Sequence, residues 1–205
     1  MINETEKGML RSCLLKFIGN KKDSVMKDTM EMPVEGFLSI KVTNHETGEE
    51  YYHTKDHNTI TDIYKRNLVR LVGGDSVSDR LITKIKFGSG GHDPDNPGNA
   101  TPTTSDMTDL NNAFLTKNIS SISYEDDTVN NITAVIFEVT LTPAEGNGTG
   151  GSQIYSEAGL YTYDETPITD PTSGLANTGL CAVKHFGVLT KTSALSFTFQ
   201  WKLIL

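Results

Sequence analysis

A chain of 205 residues with 36% hydrophobic and 21% charged content can form one packed domain of ordinary size, or one domain and an arm. Its formal net charge of −8 speaks against a nucleic-acid binder, because phosphate contacts need clustered Lys and Arg, and here these gather only around Arg11 to Lys27 and Lys184 to Lys202. No apolar run approaches the roughly 18 residues that a spanning helix needs, and the start, with Glu4 and Glu6, does not read as a secretory leader.

In residues 1–32, Met9, Leu10, Cys13, Leu14, Phe17 and Ile18 recur at three- and four-residue spacing, the mark of an amphipathic helix. Gly19-Asn20 supplies a stop. Leu10, Leu14, Phe17 and Ile18 are the candidate partner-binding residues of an arm that docks on a neighbouring subunit. A helix folded onto its own domain is the competing reading.

Residues 33–205 read as a β domain. Leu38, Ile40 and Val42 alternate with polar residues, His45-Glu46-Thr47-Gly48 turns the chain, and Glu50-Tyr51-Tyr52-His53 returns as a hairpin. Ile60, Ile63, Tyr64, Leu68, Leu71 and Val72 then share a helical face, with Thr59 or Thr61 as N-cap and Gly73-Gly74 as stop. Leu81 to Phe87 is a strand that Gly88-Ser89-Gly90-Gly91 breaks, and the loop from His92 to Ser105 holds three of the seven prolines. Asp109 to Ser121 suggests a short helical turn before a strand. Thr133 to Thr142 is a strand with Val135, Phe137, Val139 and Leu141 on one face. Ile154 to Tyr163 is a strand with Gly159 inside it, at a bulge or a close backbone contact. Leu180 to Val188 is another, with Thr190-Lys191-Thr192 as a connector.

The last stretch has the clearest pattern. Leu195, Phe197, Phe199, Trp201, Leu203 and Leu205 occupy alternate positions, so a strand gathers them on one face. That strand belongs in the middle of an antiparallel sheet. Short strands without β-α alternation predict a mainly β fold: an antiparallel β-sandwich with one short helix and an N-terminal helical arm.

Several ordered pieces carry a resemblance. They are Thr59-Ile60-Thr61 with the helix and Gly73-Gly74; Ile82-Thr83-Lys84-Ile85-Lys86-Phe87-Gly88-Ser89-Gly90; Glu157-Ala158-Gly159-Leu160-Tyr161; and Ala182-Val183-Lys184-His185-Phe186 with Lys191-Thr192 and Phe197-Thr198-Phe199-Gln200-Trp201. In that order they resemble tailed-bacteriophage structural proteins of the tail, baseplate or collar. The likeness covers residues 33–205. It implies a non-enzymatic virion subunit, made in the bacterial host cytoplasm and present in symmetry-related copies. Its implied partners are itself, as a homo-oligomer, and other tail or neck proteins; charge and hydropathy add the expectation of no nucleic acid and no membrane insertion. It carries no catalytic residue.

Other constellations suit bland roles. His92-Asp93-Pro94-Asp95-Asn96 offers oxygen ligands to a hard cation, yet it lacks the EF-hand glycine and glutamate and reads as a turn. His53 and His57 would pair on a helix but diverge on a strand. Gly88-Ser89-Gly90-Gly91 lacks the Lys-Ser/Thr and the following helix of a phosphate loop. Ser156, Glu157 and His185 have hydrolase chemistry without a nucleophile elbow. Tyr51, Tyr52, Tyr155, Tyr161 and Tyr163 suggest a sugar platform that strand alternation explains as well. The sequence therefore predicts no catalytic, cofactor-binding or metal residue and no disulfide between Cys13 and Cys181. A receptor- or carbohydrate-binding adhesin domain of a tail fibre is the alternative function, and a small sandwich enzyme the third.

Overall fold

The computed structural model describes residues 34–74, 77–129, 132–163 and 179–204. The stretch with Leu10, Leu14, Phe17 and Ile18 lies outside them, as do Cys13 and Leu205. The described chain is mainly β. Its strands are β1 (Glu35–Asn44), β2 (Glu50–His57), β3 (Thr59–Ile60), β4 (Ile82–Gly88), β5 (Ala113–Asn118), β6 (Ser121–Asp127), β7 (Ile132–Leu141), β8 (Ser152–Thr162), β9 (Leu180–Thr192) and β10 (Leu195–Ile204). They form two antiparallel five-stranded sheets in a sandwich-like arrangement. The front sheet runs β2-β1-β10-β7-β6 and the back sheet β3-β9-β8-β4-β5.

β10 is central, as its alternation predicts. Trp201 lies opposite Leu38 on β1 and Phe137 on β7, Phe199 opposite Ile40 and Val139, and Phe197 opposite Val42 and Leu141. These nine side chains are buried in one core cluster that also takes Ile85, Phe87, Tyr155, Ala158 and Leu160 from the back sheet. The Phe87 ring lies 4.6 Å from Phe199 and the Tyr155 ring 5.7 Å from Phe197, which ties the two sheets together. Pairs at these centroid separations add to the burial of their area.

Helix α1 (Asp62–Val72) begins at Thr61, whose Oγ1 accepts from the Tyr64 N–H, and ends at Gly73. Gly74, at φ +78°, then takes the left-handed turn that glycine makes cheaply. Ile63, Tyr64 and Asn67 face inward, but Val72, the last residue of the helix, departs from the predicted face and is 91% exposed. A second short helix, α2 (Val77–Arg80), was not anticipated. Its Arg80 is buried and donates to Asn67 Oδ1 at 2.8 Å.

Three further differences have physical reasons. The helical turn predicted in 109–121 is absent; Leu110 closes over Tyr161, Leu180 and Val183, and β5 follows on the free side of β4. Strand β6 was missed because all seven of its residues are exposed and its apolar alternation is only two residues long, Ile122 and Tyr124. Thr190-Lys191-Thr192 is strand and not connector, since β9 continues to Thr192 opposite Ser152.

The outer face of the back sheet is covered. The segment between β4 and β5 folds over β8 and β9, with Val188 N–H donating to the Pro97 carbonyl at 2.7 Å. Gly187 sits so close to Gly98 that any Cβ there would collide with its carbonyl.

Candidate functional site

The polar residues with the most chemistry meet beneath that covering segment. β8 bulges between Tyr155 and Glu157, and the register then sets Glu157 opposite His185 on β9 and Gly88 on β4. Ser156, Glu157 and His185 are all buried. Glu157 Oε1 accepts from the backbone N–H of Asn112 at 2.7 Å and of Gly90 at 2.9 Å, and Oε2 accepts from Asn111 N–H at 3.0 Å. His185 Nε2 stands 3.4 Å from Oε2. Burial by itself would raise the carboxyl pKa; the His185 imidazole and the three backbone donors outweigh it and hold Glu157 below its ordinary value.

The glycine motif now has a reason. A Cβ at Gly88 would collide with Glu157 Oε1, one at Gly91 with the Ser156 carbonyl, and one at Gly90 would lie 2.6 Å from Asn111 Cβ. Gly88-Ser89-Gly90-Gly91 does bring a backbone N–H to an anion, but that anion is the chain's own carboxylate. The stretch ends β4, as predicted, and also clamps Glu157.

The imidazoles complete the cluster. Thr101 Oγ1 donates to the Gly91 carbonyl at 3.1 Å, so it accepts from His185 Nδ1 at 2.8 Å. That leaves His185 Nε2 toward Glu157. Ser156 Oγ accepts from Gly91 N–H at 3.0 Å and lies 3.0 Å from His92 Nδ1. An acyl-transfer relay needs a single imidazole between nucleophile and carboxylate. Here Ser156 meets His92 and Glu157 meets His185, two different rings. The arrangement fastens the 88–112 segment to the sheet at both of its ends.

The other predicted candidates separate. His53 is the extra residue of a bulge in β2, where Ile40 faces Thr54 and Lys41 faces Tyr52. It reaches the Gly187 carbonyl of the other sheet at 3.0 Å, whereas His57 lies against Phe37 with ring centroids 4.0 Å apart. Asp93 accepts from the Asp95 N–H and turns its own loop. No group of three His, Cys, Asp or Glu suited to a metal occurs among the described residues. Tyr155 and Tyr161 are core residues; of the exposed ones, Tyr51 and Tyr52 are neighbours on β2, so their side chains point to opposite faces, and Tyr163 follows β8 in the other sheet. Cys181 is a buried free thiol whose pKa burial pushes up. Lys191 is fully buried at the other end of the sheet; its ammonium donates to Asn147 Oδ1 and to the Thr192 carbonyl, each at 2.9 Å. Burial lowers it to about 8, partly opposed by Glu145.

What sequence reasoning missed is on the surface. β6 is a free edge of the front sheet, and it exposes Ile122 at 49% and Tyr124 at 71%. Ile122 pairs with Phe137 and Tyr124 with Val135, so both continue the core-facing side of the front sheet beyond the point where the back sheet covers it. Ile122 also borders a groove with Ile82, Ile119 and Tyr163. A two-residue apolar alternation within Ser121–Asp127 was the available signal. No helix among the described residues is long and apolar enough to cross a membrane. In comparison with known proteins, the chain matches no family model and no curated sequence.

Proposed function

We propose that this chain is a non-enzymatic structural subunit of a tailed-bacteriophage virion, in the tail, baseplate or neck, that works by protein–protein assembly as a symmetric homo-oligomer with other tail or neck proteins. The observation that carries the reading is the β6 edge. Unpaired strand N–H and C=O groups beside exposed Ile122 and Tyr124 make a surface that a neighbouring chain covers. The Ser156–Glu157–His185 cluster supports it from the other side, since those groups are spent on holding the covering segment. The amphipathic arm with Leu10, Leu14, Phe17 and Ile18 supplies a second contact.

Native mass spectrometry and hydrogen exchange on the full chain test this. The expected result is a closed homo-oligomer in which residues 8–18 and β6 gain protection on assembly, and in which removal of residues 1–30 leaves the domain folded but weakens assembly. A chain that stays monomeric at every concentration, alone and with tail or neck proteins, would overturn the proposal.

A further inference from the structure

We propose that Lys191 and Asn147 join covalently, the lysine Nζ replacing the side-chain nitrogen of the asparagine to leave an isopeptide bond inside one subunit. Lys191 lies on β9 opposite Gln153 of β8, turns to the same face as Leu189 and is fully buried. Its Nζ is 2.9 Å from Asn147 Oδ1 and 2.9 Å from the Thr192 carbonyl oxygen. The Phe197 ring stands 5.7 Å away. Both acceptors are uncharged, and a buried ammonium without a carboxylate in contact is costly. That cost favours the neutral amine, which is the nucleophilic form.

The asparagine is held for the same contact. Asn147 belongs to the loop between β7 and β8. Its Nδ2 donates to the Pro143 carbonyl at 2.6 Å, so the carboxamide presents its oxygen end to Lys191. Gly146 and Gly148, at φ +68° and +63°, carry the loop through the left-handed region on either side of it. Tyr155 Oη donates to the Gly146 carbonyl at 2.9 Å and would collide with a Cβ there. An amine and an amide group held in contact react as parts of one molecule, and well-oriented pairs of this kind reach effective molarities of about 10⁵–10⁸ M.

The step balances without a co-reactant. Lys191 first gives up the extra proton of its ammonium to water. Its lone pair then attacks Asn147 Cγ, and the Nζ–Cγ bond forms. One remaining Nζ proton passes to Nδ2, the Cγ–Nδ2 bond breaks, and Nδ2 leaves as ammonia. One amide replaces another, nothing is oxidised or reduced, and each chain reacts once without turning over a substrate. Burial lowers Lys191 to about 8, partly opposed by Glu145, which is itself paired with Lys117 at 2.6 Å. The rate therefore rises with pH up to about 8 and levels off above it, as the neutral amine becomes the main form. Ser152 lies opposite Thr192, so the bond fastens the loop that leads into β8 to the end of β9, and it closes a loop in the unfolded chain.

Mass spectrometry of the purified full chain, incubated at pH values on either side of about 8, tests the bond. The expected product is lighter than the sequence by one ammonia and forms faster at the higher pH. A trypsin digest then contains a branched peptide that joins the Asn147 segment to the Lys191 segment, with no cleavage after Lys191. Asn147→Ala and Lys191→Met each keep their full mass, and Asn147→Ala unfolds at a lower denaturant concentration than the bonded wild type. Circular dichroism checks the fold of both; Asn147→Ala, in a partly open loop, carries the comparison if Lys191→Met fails to fold. A wild type still at full mass after prolonged incubation at the higher pH overturns the proposal. So does an ammonia loss that persists in Lys191→Met, which would mark a ring closed on Asn147 by the Gly148 backbone nitrogen. Either result leaves the assembly reading untouched.

Discussion

The two sheets use the same backbone geometry and bury their faces differently. The front sheet is one-sided: β1 and β10 alternate buried and partly open residues along their length, and the open side carries Ser39, Lys41, Glu138, Thr198 and Gln200. The back sheet is two-sided: in β8 the eight residues from Tyr155 to Thr162 are all buried, because the core covers one face and the 88–112 segment the other. A one-sided sheet needs only apolar residues at every second position. A two-sided sheet must also provide for whatever polar groups its cover brings in. Glu157, His185, Thr101 and Ser156 are that provision: buried polar groups that hydrogen-bond to the covering segment and to one another.

This contrast predicts that core damage in the front sheet costs the most. Trp201→Ala should lose about 3–5 kcal/mol in denaturant unfolding, through lost transfer energy and a cavity. Trp201 Nε1 is buried without a hydrogen-bond partner. Trp201→Phe should therefore recover much of the loss and cost under about 1.5 kcal/mol. A Phe variant as damaged as the Ala variant would show that the indole does more than fill space.

Next comes the carboxylate in the back sheet. Glu157→Gln keeps one acceptor but turns an amide donor toward the Asn111 N–H and removes the charge facing His185. The expected loss is about 2–3 kcal/mol. The pH dependence follows from the lowered carboxyl. Its stabilisation is fully present above the ordinary glutamate value of 4.5 and is lost as pH falls through the lower folded value. Acid titration of stability should thus lose a component in Glu157→Gln that the wild type shows below about pH 4.5. Equal acid sensitivity in the two proteins would mean that Glu157 is not held ionised in the fold.

A smaller effect tests the closeness of the covering segment. Gly91→Ala drives a methyl into the Ser156 carbonyl, which is backbone and yields little. The cost should be about 1–3 kcal/mol, with faster hydrogen exchange at Gly90, Asn111 and Asn112 before the front sheet opens. Uniform loss of protection would show that cover and core unfold as one unit. The smallest effect belongs to the open edge. Tyr124→Ser should change the stability of the monomer by no more than about 0.5 kcal/mol, since its ring is mostly in solvent. A larger loss would place Tyr124 in its own domain's packing.

The sequence by itself determined the one-sided parts. β1, β7 and β10 are legible because solvent on one face enforces polar residues at alternate positions, and Thr61 with Gly73-Gly74 marks the helix ends through local backbone chemistry. Thr190 to Thr192 and Val72 were misread where the extent of an element depends on its neighbours. The Glu157 cluster was legible only as residue types. Gly88 to Gly91, Thr101, Asn111 and Asn112, Ser156 and Glu157, and His185 come together solely through the pairing of β4, β8 and β9, and three of the four contacts on the carboxylate are made by backbone N–H groups, which no side chain advertises. β6 escaped notice for the opposite reason: all of its residues are exposed, and burial enforces no more than the brief alternation of Ile122 and Tyr124. Local periodicity follows from which side of an element water touches; which elements meet, and whether an edge is left open, follows from long-range strand pairing that only the folded chain contains.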